Sequence, residues 1–372
     1  MFKRWLRRIH LCLAIFLVFF LVNLSISGAL LVFGKDIQYQ AQPAHWQVSP
    51  DAVFLPLSRL VAIVEKSSEK TVKQIQLPPQ KDKAWQFKLA NGQYINVNPF
   101  NGNILHHYAK QDSFYGFVMA WHRWLLLTDD TQKKPLKTLV SIASLLFIIE
   151  MILGLWLWFK PKNRLQRLKI NIKAKPRVKY YQLHTVIGVL SFIPLLLIAF
   201  SGIAFHWQSQ TKMIIETLVA EPVVRYKHPI ITPELKKTLQ LDLAFSHGIQ
   251  RMEPGQLYRI YLPFNDQALK LRVKMPGEFF AFSWVSINPY TAKVIKTYDA
   301  SKANLATRIW NFKYAFHTGS FFGVGLKIFW LLLALLPSAF AISGLWLFIK
   351  RTRRNKIKSI YPLKPHFTMA TR

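Results

Sequence analysis

Gly154-Leu155-Trp156-Leu157-Trp158-Phe159-Lys160 closes one long apolar run, and Gly344-Leu345-Trp346-Leu347-Phe348-Ile349-Lys350 closes another at an offset of 190 positions. Self-similarity at a fixed offset marks an internal repeat, and this one extends outward. Val97-Asn98-Pro99-Phe100-Asn101-Gly102-Asn103-Ile104-Leu105 is echoed at the same offset by Ile287-Asn288-Pro289-Tyr290-Thr291-Ala292-Lys293-Val294-Ile295. Trp121-His122 is echoed by Phe316-His317, 195 positions on. Two further apolar runs begin Ile9-His10 and Leu183-His184 and reach Ser27-Gly28 and Ser201-Gly202, with glycine 18 positions after histidine in both. The chain therefore reads twice through one unit: an apolar run, a polar segment, a histidine and a returning apolar run.

A membrane span needs about 20 predominantly apolar residues, and four segments qualify: 10–33, 136–159, 183–206 and 325–349. The composition agrees, with 51% hydrophobic and only 18% charged residues, against about 25% charged in a soluble domain. The first run, Leu11 to Phe33, exceeds the roughly 7–15 residues of a signal-peptide core and reads as a retained anchor. The net charge of +33 suggests nucleic-acid binding until it is mapped. Segments 1–9, 160–182 and 350–372 hold 21 of the 50 basic residues and no Asp or Glu, and all abut apolar runs. Basic residues beside spans mark the cytoplasmic side, so topology explains the charge and no nucleic-acid partner is expected. Both termini and the basic loop 160–182 are then cytoplasmic. Segments 34–135 and 207–324 then lie outside, in the periplasm if the organism is Gram-negative.

The expected fold class is membrane α-helical: a four-TM bundle of two pseudo-twofold repeats, its axis along the membrane normal, carrying two periplasmic α+β domains. Segments 84–89 and 93–97 flank Asn91-Gly92, a hairpin signal, and Asn98 to Gly102 forms a second turn into another short strand. Residues 50–69 predict an amphipathic helix through Leu57, Leu60, Val61 and Val64. In the second half, 257–262, 269–274 and 280–287 supply strands.

Cys12 is the only cysteine, which excludes an intramolecular disulfide, a cysteine-ligated cluster and a covalent haem attachment. Chemistry falls to the histidines. His10 and His184 occupy equivalent cytoplasmic ends of the odd spans, and His122 and His317 equivalent outer ends of the even spans. Equivalent positions face each other across a pseudo-twofold axis, and two facing imidazoles supply both axial ligands of a b-type haem. That predicts two haems. His206 is a further candidate; on a straight helix it lies about 33 Å and six turns beyond His184, on the same side. His106, His107, His228, His247 and His366 read as surface residues. Small residues at Ser27-Gly28, Ser201-Gly202, Gly154 and Ser343-Gly344 allow close helix approach or space for a flat cofactor. Glu150, the only acidic residue inside a span, is a candidate for proton movement or quinol contact, or is a hydrated carboxylate near the cytoplasmic face. No Gly-x-Gly-x-x-Gly or P-loop is present, so an electron donor docks from outside the chain.

The repeated unit resembles the PepSY-associated transmembrane family, which includes iron-regulated inner-membrane proteins and ferric-siderophore reductases. The resemblance rests on His10 to Gly28, Val97 to Gly102, Trp121-His122-Arg123-Trp124, His184 to Gly202, Phe316-His317-Thr318-Gly319 and Ser343-Gly344-Leu345-Trp346. It covers nearly the whole chain. It implies two PepSY-like outside domains and reduction of a ferric siderophore on the periplasmic side, with release of Fe(II), by electrons from a quinol or a cytoplasmic flavin reductase. The chain departs from the family in having Ser27, Ser201 and Ser343 where threonine is frequent, and Thr291-Ala292 where Thr-Gly is usual. A non-enzymatic alternative is a membrane-anchored PepSY binding module that regulates a peptidase or senses a periplasmic ligand; it requires neither haem nor paired histidines. A transporter ranks lowest, because four spans with few polar groups offer little polar pathway.

Overall fold

The computed structural model describes residues 2–51, 53–128, 133–159, 165–231, 238–263 and 267–360. Part of the expected basic loop, 160–164, and the tail 361–372 with His366 lie outside the described residues. The first half runs α1 (Phe2–Val32), α2 (Gly34–Ala41), α3 (Pro43–Trp46), α4 (Leu57–Ser68), β1 (Val72–Gln76), β2 (Trp85–Leu89), β3 (Tyr94–Val97), β4 (Ile104–Tyr108), α5 (Phe114–Trp124) and α6 (Leu136–Phe159). The second half runs α7 (Pro176–Leu190), α8 (Phe192–Ile203), α9 (Gln208–Val219), α10 (Leu241–Gln250), β5 (Gln256–Tyr261), β6 (Leu269–Lys274), β7 (Ser283–Ile287), β8 (Val294–Tyr298), α11 (Leu305–Thr318) and α12 (Val324–Ile360). These divide into a span unit (1–29, 127–203 and 331–372) and a sheet unit (30–126 and 204–330).

In the span unit, α1, α6 and α12 are long and apolar enough to cross a membrane, and α7 with α8 makes a fourth span if the bent pair counts as one. The bend of 64° departs from the straight span expected over 183–206. Its cause is Pro194, third in α8: proline has no N–H to give the carbonyl of Leu190, and its ring crowds that carbonyl. The chain breaks at Ser191, whose hydroxyl turns back to the carbonyl of Ile187 at 2.7 Å. Pro337 sits inside α12 without ending it. There the buried hydroxyl of Ser25, from α1, donates to the carbonyl of Ala334 and accepts from the N–H of Ser338. A serine inserted into the backbone ladder re-satisfies groups disturbed by an intramembrane proline.

The sheet unit holds one antiparallel sheet in the order β4-β3-β2-β1-β5-β6-β7-β8. Two four-stranded halves join where β1 pairs with β5, Ile75 opposite Ile260. Alternation places Phe87, Ile75, Ile260, Leu271 and Val285 on one face, all fully buried. Leu60 and Val64 of α4 and Ala244 of α10 cover that face. Gly248 lets α10 approach the sheet: a Cβ there would lie 2.6 Å from Leu271 and 2.8 Å from Ile287.

The expected strands appear with two changes of boundary. Helix α4 starts at Leu57, because Pro56 holds an extended ψ of 140° and the N–H of Leu55 pairs with the carbonyl of Pro99. Strand β7 starts at Ser283, because the Glu278 carboxylate accepts from the N–H groups of Met275 and Phe282 and holds 275–282 in a turn. The departure at Thr291-Ala292 is conformational. Ala292 keeps the left-handed backbone, φ 55°, of Gly102 in the first repeat, φ 80°, at the cost alanine bears there. Ser25→Ala should leave Ala334 and Ser338 without their bridge and lower stability in detergent by about 1 kcal/mol, read from the thermal unfolding midpoint.

Candidate functional site

In the span unit each odd-numbered run presents its histidine to a glycine on the returning helix. His10 of α1 meets Gly154 of α6, where a Cβ would lie 3.3 Å from the imidazole Cε1. His184 of α7 meets Gly344 of α12, where the same distance would be 3.6 Å. The repeat thus survives as geometry: each glycine leaves room for one imidazole. The two imidazoles are also near enough for charge on one to act on the other.

The polar partners differ between the halves. His10 Nδ1 lies 2.9 Å from Oε1 of Glu150, one turn before Gly154. Glu150 is 6% exposed, and its Oε2 has no hydrogen-bond partner among the described residues. In the second half the position equivalent to Glu150 is Phe340, whose ring stands edge-on to His184 at 5.3 Å. Ser343 takes the polar role, its Oγ 2.9 Å from His184 Nδ1. The Ser343 hydroxyl also reaches the carbonyl of Phe340 at 3.2 Å; with its proton directed there, His184 carries its own proton on Nδ1 and the lone pair on Nε2. A histidine whose Nδ1–H is held by an oxygen is oriented to bind metal through Nε2.

The second histidine pair belongs to the sheet unit. His122 and His317 were expected at the ends of the even spans; instead each sits in the last turn of a separate helix, α5 and α11. The two helices are built alike. Ser113 caps α5 by accepting from the N–H of Gly116, and Asn304 caps α11 by accepting from that of Thr307, each satisfying an otherwise orphaned donor. Left-handed residues end them, Leu125 at φ 52° and Gly319 at φ 65°. The turn after α11 is tight, since a Cβ on Gly319 would lie 2.5 Å from Trp330.

Ring centroids of His122 and His317 are 6.2 Å apart, with planes tilted by 54°. Metal–nitrogen bonds of about 2 Å on either side of one ion put two opposed imidazole centroids roughly 6 Å apart, a separation close to that of this pair. His206 falls in the turn after α8, beside Trp207 at 6.2 Å. The bend between α7 and α8 removes the straight-helix alignment of His206 with His184. Its neighbour Phe205, which sequence reasoning passed over, packs edge-on to His317 at 5.4 Å and approaches Tyr314 at 6.3 Å.

Burial shifts two basic groups of the sheet unit toward their neutral forms. Burial lowers Lys313 of α11 to about 7, and Lys212 and Arg272 push the same way. Its ammonium sits 3.7 Å over the Trp310 ring and donates to the Trp310 carbonyl at 3.0 Å. His228, expected as a surface residue, stands edge-on to Trp284 at 4.6 Å and to Tyr226 at 4.8 Å. Burial, then Lys270 and Lys296, lowers it to about 4. His45 stacks on His106 at 4.0 Å, a pair with no counterpart in the repeat motifs.

Membrane-crossing helices, a twice-built unit and a double α+β sheet define a multi-pass membrane protein of two span–sheet–span repeats. The chain belongs to the family described as the PepSY-associated TM region, whose family model matches residues 7–351. Among curated proteins no similar sequence was found.

Lys313 generates a pH prediction. A lysine depressed in the folded state penalises folding fully below its folded value, about 7, and the penalty is relieved as pH rises toward the ordinary 10.5. Unfolding midpoints of the sheet unit should therefore rise between pH 7 and 10. Lys313→Met should flatten that rise; an equal rise in wild type and variant assigns it to other groups.

Proposed function

We propose that the protein is a haem-bearing oxidoreductase of the inner membrane, which accepts electrons on the cytoplasmic side and reduces a ferric siderophore in the periplasm. The observation that carries this reading is the separation of His122 and His317, 6.2 Å between ring centroids; His10 and His184, each beside an oxygen partner, are the second candidate pair. The basic clusters at 1–9 and 160–182 support cytoplasmic ends for the first three spans and a periplasmic sheet unit.

Two b-type haems, one per histidine pair, supply reversible one-electron chemistry when bound. The protein's own contribution is orientation. Ser343 stands at the Nδ1 of His184, Glu150 stands at the Nδ1 of His10, and Gly154 and Gly344 lie against the ring edges. Caps at Ser113 and Asn304 fix the helices that carry His122 and His317. The substrate, Fe(III) held by an anionic chelator, takes one electron and leaves as Fe(II), which the chelator binds less tightly. A quinol or a reduced cytoplasmic flavin protein is the donor that balances this.

The test is the optical spectrum of the detergent-purified protein, oxidised and dithionite-reduced, with haem quantified per chain. Two b-type haems per chain are expected, with His184→Ala and His317→Ala each losing one. Retention of both haems in His184→Ala would refute that ligand assignment. No haem, even after expression with haem supplied, would sink the reductase and favour the regulator or sensor built on the same PepSY domains.

A further inference from the structure

The sheet unit contains a cavity of about 300 Å³ at the seam between the repeats, where the end of β1 and the start of β5 meet α2, α5 and α11. Its charge is one-sided. Lys35, Lys274 and Lys327 line it, against a single carboxylate, Asp36. Asp36 is already engaged, its Oδ2 3.4 Å from Nζ of Lys327. Lys35 has no ion pair among the described residues; its ammonium faces the Tyr115 ring at 5.5 Å. Burial, then Arg259, lowers its proton affinity, Lys110 and Lys327 add to that, and only Asp36 opposes them.

The rest of the wall is aromatic. Tyr115, Tyr258 and Tyr314 line it together with Phe280, which lies 4.3 Å from Tyr314. Tyr115 and Tyr314 belong to the helices that carry His122 and His317, seven and three residues earlier. At 1.5 Å per residue the cavity wall is about 5–10 Å along those helices from the outer imidazoles.

An excess of lysines over carboxylates in a partly desolvated, aryl-lined cavity is complementary to an anion that carries flat rings. We propose that this cavity docks the aryl arms of an anionic, catecholate-type ferric chelate, beside the outer histidine pair. This deepens the reductase reading by naming the class of its substrate, and it rests on that reading for the iron. The volume is at the low end for small-molecule sites, so it takes arms of the chelate rather than the whole. Catecholate oxygens would meet Lys35 and Lys274, and the rings would stack among the tyrosines.

Binding is separable from reduction by using a redox-inert metal. The experiment is calorimetric titration of the full-length protein with a hexadentate tris-catecholate complex of gallium(III), and with a neutral gallium hydroxamate as control. Saturable binding of the anionic complex is expected, weakened by salt and at least 10-fold tighter than the neutral one. Lys274→Glu, an exposed position, should weaken it about 10-fold, and Lys35→Met by a similar factor, with the haem spectrum unchanged. Equal affinity for both complexes, or unchanged affinity in Lys274→Glu, overturns the proposal. So does displacement of the complex by phosphatidylglycerol at stoichiometric amounts, which would assign the cations to a lipid headgroup. If the chelate binds but no haem is found, the docking site stands and the reductase falls; haem without chelate binding gives the reverse.

Discussion

Pairing of β1 with β5 is the contact on which the sheet unit depends. Each repeat supplies only four short strands and one covering helix, so each half has an edge strand that would otherwise expose unpaired backbone groups. Ile75 opposite Ile260 closes that edge and places two fully buried side chains at the centre of one continuous core. The first turns of the two covering helices are linked as well: Asp242 of α10 accepts from the N–H and hydroxyl of Ser58 in α4. Helices α5 and α11 emerge from this shared platform, one per repeat. A twofold arrangement of equal parts then brings His122 and His317 together without either repeat encoding the partner.

The settings of His10 and His184 show how far a repeat can diverge while keeping one geometry. Glycine opposite histidine recurs in both halves, the fit being tight at Gly154 and an ordinary van der Waals distance at Gly344. The polar group behind the ring has moved by one turn, from Glu150 to Ser343, and Phe340 fills the vacated place. A buried carboxylate and a hydroxyl orient an imidazole similarly but differ in charge, and an intramembrane carboxylate is costly to keep without a role. The settings of the two histidines are therefore chemically unlike, and the asymmetry lies behind the rings rather than in them.

Proline shows how context decides a local rule. Pro194 breaks its helix while Pro337 does not, although both sit within apolar runs of similar composition. The difference is a neighbour: Ser25 reaches Ala334 and Ser338 from α1, and Ser191 turns back on its own helix instead.

Spans, repeat and strands were legible in the sequence because each is a local pattern: apolar length, fixed offset, alternation about Asn91-Gly92. The histidines were legible as pairs because equivalent positions in a repeat are related by symmetry whatever the fold. Their setting was not. The chain from Phe114 to Trp124 reads as the approach to a span, and only the caps at Ser113 and Leu125 show a separate helix. The hydrogen bond of Ser343 to His184 joins residues 159 positions apart, and the three lysines of the seam cavity come from α2, β6 and α12. Such contacts leave no periodic trace. The amino-acid order determined which residues repeat and which segments are apolar, because those are properties of neighbours along the chain. Which ring nitrogen faces an oxygen, and which cations share a cavity, was decided only when β1 met β5 and the returning helices closed on the histidines.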